Sequence, residues 1–465
     1  MTLTAGAPAA PFVPPMQPFA RPDAGGVQVL LGLGRNAWAA FPRRCTDEGV
    51  VRLPLPVPGA AVVVASAPDA IRQVLADKAD LYGRLRAGKR VLQPIVGRGL
   101  LVSEGEAWRR QRRAMAPAFT PRAVPVLARH IATCAEASCR ALEAARGRPV
   151  DLLDATQRLA LHIAAASMFA LEADTFGAAL RGMMSGYMAT IGRPTPADFL
   201  LPAGVPTPRG VRRALFHRRW RRLVRTIIAA RRERDGAGRD GEGADKGAPR
   251  DLFDLMAAAH GERDEDLLAD EAATMIVAGH ETTALVLFWS CYLLARAPQW
   301  QDLVAAEARE LDLSPDGAAA SLPALRHTRA VVQEALRLFP PAFLTARQAR
   351  AADVLCGVAV PRGAVVLMPF WLLHRNPRWW GPDANAFDPG RFLCGPEPDR
   401  WAFLPFGAGP HVCIGAQLAM AEAVLVLARL LRGSTVSLPH RRPVLPVGTL
   451  TTRPDHAPFF VLHPR

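Results

Sequence analysis

The sequence predicts a mainly α-helical fold with a small β region. Ala- and Leu-rich segments with helical periodicity dominate residues 67–345, and one long apolar helical pattern covers residues 265–296. Short Val- and Pro-rich runs over residues 50–66 indicate two strands, and the alternation over residues 353–370 predicts a hairpin. Half of the 465 residues are hydrophobic, so the chain can bury one large core.

The other elements are predicted from the same periodicities. Helices are expected for residues 104–118, 124–146, 151–171, 211–234 and 416–432, and short strands for residues 444–463. Pro361 and Gly363 are expected at the turn of the hairpin. Prolines between Pro194 and Pro208 predict a mobile irregular stretch, because proline interrupts helices.

Two segments of low complexity are predicted to lie outside the packed core. Residues 235–250 contain Gly and charged residues but almost no apolar ones, which predicts a flexible surface loop. Residues 1–22 are rich in Pro and Ala, which predicts a poorly ordered tail. The sequence shows no internal repeat and no linker between two possible cores. We therefore expect a single domain over residues 23–465.

The composition limits the class of protein. The net charge of +15 comes almost entirely from Arg, which suits a nucleic acid, a membrane surface or an acidic partner, but also a genome that favours Ala and Arg. No nucleic-acid-binding module is recognisable, so we expect no nucleic-acid partner. The seven cysteines form no CxxC pair and no disulfide framework. Arg35 interrupts the apolar residues 27–41, so we expect no membrane span and a cytoplasmic location.

The most informative segment is a loop, FGAGPHVCIG, that runs from Phe406 to Gly415 and contains Cys413. Gly409 and Gly415 allow close backbone approach and unusual dihedral angles, and a helix is predicted directly after the loop. The positive field of a helix N-terminus and nearby amide donors stabilise a thiolate. A thiolate is the ligand that a heme iron needs to cleave the oxygen–oxygen bond. The alternative interpretation is a core cysteine in a Gly-rich turn.

This loop resembles the heme-binding loop of the cytochromes P450, which has the pattern Phe-x-x-Gly-x-Arg/His-x-Cys-x-Gly. The matching residues are Phe406, Gly409, Cys413 and Gly415, with His411 where many members have Arg. The resemblance covers roughly residues 50–463 and implies the cytochrome P450 fold and a heme-thiolate monooxygenase. It implies heme b (iron protoporphyrin IX) with Cys413 as the axial iron ligand. The other loop residues that it places at the heme are Phe406, Gly407, His411 and Gly415.

A Glu-x-x-Arg pair lies on a predicted helix that ends at two prolines. Glu334 and Arg337 are three residues apart and therefore share one helical face. The pattern alone is common on protein surfaces, but these residues have apolar neighbours, and buried ions need partners. The resemblance supplies Arg391 as a third member. It implies a structural Glu334–Arg337–Arg391 cluster that anchors the cysteine loop.

The long apolar helix carries a polar motif at its centre, Ala278-Gly279-His280-Glu281-Thr282-Thr283. Gly inside a helix is unfavourable by roughly 1 kcal/mol, and a Thr hydroxyl can bond to the preceding turn, so we expect a local distortion. The resemblance implies that Ala278 and Gly279 flank the oxygen pocket. It further implies that Thr282 hydrogen-bonds the dioxygen and that Glu281 gates proton entry. The alternative is an ordinary helix with a polar face.

The two carboxylates of a heme need cationic or donor partners. Trp108 and Arg112 are four residues apart and share one face of a basic helix. The resemblance places both at a propionate, with Arg347 and His411 as further candidates. Plain solvation is the alternative for the two arginines.

Three neighbouring arginines predict a surface for an electron donor. Arg109, Arg110 and Arg113 are expected to face outwards on the cysteine side, where a basic surface suits an acidic protein. The chain carries no recognisable flavin or iron–sulfur domain. We therefore expect electrons from a ferredoxin (or flavodoxin) and its NAD(P)H-dependent reductase.

The resemblance determines the reaction class better than the substrate. It places mostly apolar segments around the substrate, which favours a hydrophobic small molecule. These segments are residues 84–101 and 184–208, Ile276, Val277, Ala342 to Leu344, Leu450 and Thr451. The resemblance places the Arg-rich helix 211–234 at the lid over the substrate channel, where it either binds a carboxylate or membrane surface or is a solvated face.

Two rival functions remain beside O2-dependent monooxygenation. One is a peroxide-driven or rearranging heme-thiolate enzyme of the same fold, although such relatives often lack the acid–alcohol pair that Glu281 and Thr282 form here. The other is a non-catalytic heme sensor or carrier.

Overall fold

The computed structural model describes residues 11–56, 59–120, 123–169, 176–201, 205–238, 252–260, 264–394 and 397–465. It confirms a mainly α fold with a small β region. The helices are α1 Gly26–Arg35, α2 Arg44–Asp47, α3 Pro68–Arg72, α4 Arg86–Val96, α5 Gly105–Met115, α6 Val124–Ala144, α7 Leu152–Phe169, α8 Gly177–Ala189, α9 Pro196–Leu200, α10 Pro208–Gly238, α11 Leu252–His260, α12 Glu265–Leu294, α13 Pro298–Arg309, α14 Ala318–Ser321, α15 Arg326–Leu338, α16 Phe370–His374, α17 Pro377–Trp380 and α18 Ala416–Gly433. The strands are β1 Val50–Pro54, β2 Ala61–Ala65, β3 Tyr82–Arg84, β4 Pro149–Asp151, β5 Leu344–Ala349, β6 Asp353–Leu355, β7 Val358–Val360, β8 Val365–Pro369, β9 Ser434–Ser437, β10 Pro446–Gly448, β11 Thr452–Pro454 and β12 Phe459–Pro464.

The main sheet has five strands in the order β1-β2-β8-β5-β3. β1 and β2 confirm the two strands predicted for residues 50–66; they pair antiparallel, and the small and β-branched sequence AVVVA of β2 is buried throughout. β2 and β8 are parallel, whereas β5 is antiparallel to both β8 and β3. The pairing of β3 with β5 places Arg84 directly opposite Arg347. The sheet therefore brings together two arginines that are distant in sequence.

The predicted hairpin forms, but its turn is at a different place. β6 and β7 are joined through Cys356 and Gly357, which have φ values of 47° and 83°. Pro361 and Gly363, the predicted turn residues, instead connect β7 to β8, which leaves the hairpin and joins the main sheet. The prediction was wrong because a left-handed backbone is rare for a residue with a side chain, and Cys356 therefore gave no turn signal.

The N-terminal segment is ordered further than predicted. Residues 11–22 belong to the predicted tail, yet Phe12 packs edge-on against Tyr292, with ring centroids 6.1 Å apart. The carbonyl of Phe12 also accepts a hydrogen bond of 2.8 Å from Phe387 N. This part of the tail is therefore held against the core, because its aromatic side chain finds an apolar site. Residues 1–10 lie outside the described part of the chain.

The region around the Arg-rich helix also differs from its prediction. α10 begins at Pro208 and continues to Gly238, so residues 235–238 are helical instead of loop. The rest of the predicted loop, residues 239–250, lies outside the described residues. Within the Pro-rich stretch, Thr195 and its capping box start the short helix α9, so this stretch is not wholly irregular.

Helix α12 is the central helix of the fold. It packs along α7 and also contacts α4, α10, α15 and α18. Asp264 caps its N-terminus by accepting a hydrogen bond of 2.9 Å from Leu267 N. By length and composition it is the one described helix that could cross a membrane, and 83% of its most apolar stretch is buried in the protein. A core helix passes the same test, so this property is weak support for a span.

Candidate active site

The cysteine loop leads directly into α18. Cys413 N donates a hydrogen bond of 2.9 Å to Phe406 O, which closes the loop, and Gly415 is the N-cap residue of α18. Gly409 has a φ of 72°, and a Cβ there would lie 1.9 Å from Leu75 O. This position therefore requires glycine for its backbone conformation and for its close contact. Gly415 has an ordinary φ of −88°, so the unusual dihedral angle expected there does not occur.

The thiol of Cys413 is accessible, although protein atoms surround most of it. Burial raises the pKa of this thiol, while the amide of Gly415 and the guanidinium of Arg112 act in the opposite direction. The amide donor expected from the sequence is therefore present, but it does not outweigh burial. A directly coordinated metal ion deprotonates a thiol and would supply the missing stabilisation.

The centre of α12 is the accessible part of an otherwise buried helix. Ala278 is exposed and Gly279 and Thr282 are partly exposed, whereas most of the helix on either side is buried. A Cβ added to Gly279 would meet no atom within 4 Å, so open space lies beside it. Thr282 Oγ1 donates a hydrogen bond of 2.6 Å to Ala278 O, as its back-bonding tendency predicts. The helix continues without interruption through the motif, so the expected local distortion does not break its helical structure.

A cation cluster of Arg84, Arg112 and Arg347 lies beside the cysteine loop. The ring of Trp108 contacts the ring of His411, with centroids 4.0 Å apart, and Arg84 Nη2 lies 3.2 Å from His411 Nδ1. Burial and repulsion from Arg84 lower the pKa of Arg347 to about 10. Burial also lowers the pKa of Arg84 and that of Arg112. The structure thus brings together the four residues predicted for the propionates, together with Arg84, which the sequence analysis missed.

Nearby acidic groups do not balance the cation cluster. Among the described residues, Glu104 is the one carboxylate whose charge acts on Arg84, Arg347 and His411. Glu104 is already occupied, because it pairs with Lys89 and accepts a hydrogen bond of 2.7 Å from Arg84 N. Burial and the surrounding arginines lower the pKa of His411 to about 3, so its ring is neutral. Like charges on adjacent strands are destabilising, so the cluster needs an anionic ligand.

Glu281 is held away from solvent by the C-terminal region. The residue is 2% exposed, and its Oε1 accepts hydrogen bonds of 2.7 Å from Thr451 Oγ1 and 2.5 Å from Arg453 Nε. Burial raises the pKa of Glu281, but Arg453 and Thr451 outweigh burial, so the pKa lies below its ordinary value. Thr451 was placed at the substrate by the resemblance, and here its hydroxyl binds Glu281. Arg453 was not predicted at all.

The Glu334–Arg337–Arg391 contact forms as the resemblance implies. Both Glu334 and Arg337 are fully buried, and two hydrogen bonds of 2.6 and 2.7 Å join them. Arg391 Nε lies 3.6 Å from Glu334 Oε1, and its Nη2 bonds Asp383 at 2.5 Å. Arg337 also donates to the carbonyl oxygens of the segment before Arg391, including Ala384 at 2.5 Å. The cluster thereby ties α15 to the chain that leads into the cysteine loop.

Sequence patterns gave no signal for the residues that were missed. Arg84 lies on a strand of three residues, which is too short for a periodicity. Arg453 also lies on a strand of three residues and reaches Glu281 across 172 positions of sequence. Only the paired strands and the packing of the C-terminal region on α12 place these side chains.

These features together fit one kind of ligand. The accessible thiol on the Gly-rich loop suits the iron of a heme. The open face of the central helix leaves room for its flat ring, and the cation cluster, which lacks anionic partners, suits its two carboxylates. The fold and the site therefore define a heme-thiolate protein.

Comparison with known proteins agrees with this class. The sequence profile of the cytochrome P450 family matches residues 54–457. The chain is 34% identical over 446 residues to cyclooctat-9-en-7-ol 5-monooxygenase of Streptomyces melanosporofaciens, with 90% of each protein covered. It is 30% identical over 402 residues to cytokinin hydroxylase of Arabidopsis thaliana, covering 85% of this chain and 77% of that protein. It is also 30% identical over 433 residues to cytochrome P450 734A4 of Oryza sativa subsp. japonica, covering 86% and 79%.

The chain belongs to the cytochrome P450 family, and it is a heme-thiolate monooxygenase.

Proposed function

We propose that Cys413 is the axial ligand of heme b, and that the protein oxidises a hydrophobic small molecule with O2 and electrons from a separate ferredoxin or flavodoxin. One observation carries the heme assignment. The loop that presents the accessible thiol of Cys413 also carries His411, which lies 3.2 Å from Arg84 of the cation cluster, and Arg112 acts electrostatically on both loop residues. Ligands for the iron and for the carboxylates therefore lie within one small region.

Each predicted residue has a defined task in this proposal. Bound heme supplies the activation of dioxygen and the transfer of one oxygen atom. Arg112 and Arg347, helped by Arg84, hold the carboxylates, while Trp108 and His411 complete this polar rim. Phe406, Gly407 and Gly415 shape the loop against the ring. Ala278 and Gly279 leave the space beside α12 open for dioxygen.

Thr282 and Glu281 move protons in the proposed mechanism. The hydroxyl of Thr282 donates to Ala278 O in this structure and can turn to donate into the open space instead. Glu281 lies one residue before it and can pass a proton towards that space. An acid and an alcohol in sequence suit a reaction that takes up two protons.

The proposed reaction is tested by comparing two oxidants, O2 with reduced ferredoxin and hydrogen peroxide alone. With reduced ferredoxin, its NAD(P)H-dependent reductase and isotopically labelled O2, we expect a product that contains one labelled oxygen atom. Efficient turnover with hydrogen peroxide alone, and none with ferredoxin and O2, would favour the peroxide-driven alternative. Binding of hydrophobic compounds without any product would favour a sensor or carrier.

Replacing Thr282 with Ala is expected to uncouple electron use from product formation. The variant lacks the hydroxyl that we assign to proton delivery, and positioned proton donors contribute roughly 10²–10⁴-fold to such steps. Product formed per NADPH consumed should therefore fall by about tenfold or more, with a matching release of hydrogen peroxide. Thr283→Ala is the matched control, because Thr283 is buried and lies on another face of α12. Equal coupling in both variants would place the proton relay elsewhere.

The substrate is proposed to be hydrophobic because apolar side chains border the accessible part of α12. Leu92, Leu101 and Leu450 are partly buried and pack against the cluster that contains Ile276 and Val277. The two relatives named for their substrates act on a cyclic alcohol and a cytokinin, both of which are small molecules. Titration of the heme-bound protein with terpenoid alcohols, fatty acids and polyketides should give spin-state shifts that rank these classes.

The electron donor is proposed to bind the outer face of α5. Arg110 and Arg113 are exposed and form no ion pair with a described residue, whereas Arg109 pairs with Glu106 and, at 3.8 Å, with Asp80. Arg112 on the same helix acts on Cys413, so helix α5 lies on the cysteine side of the site. Unpaired surface charges speed the encounter with a protein of opposite charge.

Reversing both charges, in the double variant Arg110→Glu and Arg113→Glu, should raise the KM for ferredoxin by about tenfold at low salt. The expected change follows from lost attraction, so it should shrink as ionic strength rises. The double variant Arg218→Glu and Arg222→Glu changes the charge by the same amount on another helix, α10, where both residues are exposed, and serves as the control. An equal change in both double variants would mean that net charge, and not this face, determines the encounter.

We propose a cytoplasmic location for this reaction. All seven cysteines are free, as is usual in reducing compartments, where reduced ferredoxins and NAD(P)H are available. Separation of the cells into cytoplasmic and membrane fractions, followed by the thiolate-type heme spectrum, tests this location.

A further inference from the structure

The strand β11 carries the side chain that holds Glu281. Arg453 is the central residue of β11 and pairs with Val447 of β10. The side chain of Arg453 is 28% exposed, whereas that of Glu281 is 2% exposed. Arg453 therefore spans from solvent to a buried carboxylate.

A surface cleft adjoins the outer end of this ion pair. The cleft has a volume of about 200 Å³, and its lining includes Arg453, Thr451, Asp455 and Arg193. Asp455 is exposed, and its carboxylate contacts Leu445 N at 2.9 Å, Arg442 at 3.2 Å and His456 at 2.8 Å. The cleft thus exposes Arg453 to solvent and to a second carboxylate, which Arg442 also contacts, while Glu281 offers it a buried one.

The backbone next to Arg453 is fixed, so movement is left to the side chain. Thr452 is fully buried, its Oγ1 donates to Pro340 O at 2.6 Å, and its carbonyl accepts a hydrogen bond of 2.9 Å from Trp289 Nε1. A guanidinium on a long flexible chain can leave Glu281 without any shift of this backbone.

The hydrogen bonds that Glu281 accepts oppose its proposed task, which is to take up a proton and pass it on. Both the Arg453 and Thr451 bonds fall on Oε1, and Oε2 has no hydrogen bond to a described residue. The ion pair favours the carboxylate over the acid, and it keeps water from the occupied oxygen. His280, the neighbouring titratable group on α12, is buried and neutral, because burial lowers its pKa to about 4 and the charges of Arg453 and Arg181 also lower it. Arg453 is therefore the group whose position decides whether Glu281 can take up a proton.

We infer that Arg453 is a positioning residue that gates proton entry to the active site: it holds Glu281 in place, and it admits water to that carboxylate by moving into the cleft. The inference rests on the proposed role of Glu281 as the proton relay. The proton passes from cleft water to Glu281 and on towards Thr282, and the guanidinium stays protonated throughout.

The test compares Arg453→Gln with the wild-type heme-bound protein. Infrared titration follows the protonated carboxyl of Glu281, which is identified by its loss in Glu281→Gln. Without the cation, we expect this carboxyl to protonate about one pH unit higher or more, since a nearby opposite charge lowers a carboxyl pKa by roughly one to three units. The pH profile of product formed per NADPH should shift in the same direction, measured with the compound that gives the largest spin-state shift.

Two further variants make the result decisive. Arg193→Gln removes a cation from the same cleft without touching Glu281 and should titrate like the wild type. Arg453→Lys keeps the charge and should reverse part of the shift, and Arg453→Met, which also lacks the charge, replaces the Gln variant if that protein does not retain heme. An unchanged titration and an unchanged coupling profile in Arg453→Gln would overturn the gate. If Glu281→Gln then still loses coupling, the Glu281 relay stands without a gate; if Glu281→Gln keeps coupling, the proposed relay itself is wrong.

Discussion

Cys413→Ser is expected to abolish the thiolate-type ferrous-carbonyl spectrum and to reduce O2-dependent product formation to background. A serine hydroxyl does not ionise at neutral pH, so no anionic sulfur would supply electron density to the iron. The effect should be nearly complete, because the other cysteines lie elsewhere in the fold and three of them, Cys45, Cys139 and Cys291, are buried. The spectrum of the reduced protein under carbon monoxide measures the result.

Two exposed cysteines provide controls for this prediction. Cys356→Ser and Cys394→Ser remove accessible thiols away from the loop and should leave both the spectrum and the activity unchanged. A Cys413→Ser protein with an unaltered ferrous-carbonyl spectrum would show that another side chain binds the iron.

Glu334→Gln is expected to lower the free energy of unfolding of the heme-bound protein by about 3–5 kcal/mol. Removing one member of a buried ion pair leaves an uncompensated charge, and measured losses fall in this range. Here Arg337 is fully buried and would lose its carboxylate partner, whereas Arg391, 3.6 Å from the same carboxylate, would keep its other partner, Asp383. Asp388 N would also lose its 2.9 Å hydrogen bond to a charged acceptor. Urea denaturation followed by the heme absorbance measures the change.

The control for this prediction is an ion pair at the surface. Glu136 pairs with Arg140 at 3.1 Å and with Arg429 at 3.3 Å, and its side chain is 33% exposed. Glu136→Gln should therefore cost about 1 kcal/mol or less. Similar losses in Glu334→Gln and Glu136→Gln would contradict a special stabilising role of the buried cluster.

Much of the site could be predicted because its residues form local patterns. The cysteine loop is a continuous run in which spacing alone aligns Cys413 with Phe406 and Gly409. The Glu334–Arg337 pair follows from helical periodicity, and the motif at Ala278 follows from an unusual glycine inside an apolar helix. In each case the physical constraint acts within about ten residues, so the sequence shows it directly.

The parts that could not be predicted depend on contacts between distant segments. Arg84 joins the cation cluster because β3 pairs with β5, and neither strand has a strong pattern. Arg453 and Thr451 reach Glu281 only because the C-terminal region folds back over α12. The hairpin turn at Cys356 was misplaced for a local reason, since Gly and Pro elsewhere gave a stronger signal.

By itself, the sequence predicted a helical protein and, through motifs of short spacing that resemble those of the cytochromes P450, a heme-thiolate loop, an oxygen-side helix and a buried Glu–Arg pair. Only the tertiary structure showed that Arg84 joins Arg112 and Arg347 at the site proposed for the heme carboxylates. It also showed that Arg453 binds Glu281, the acid next to Thr282. Charges act through space and not along the chain, so their balance at a site exists only once the strands and helices are packed.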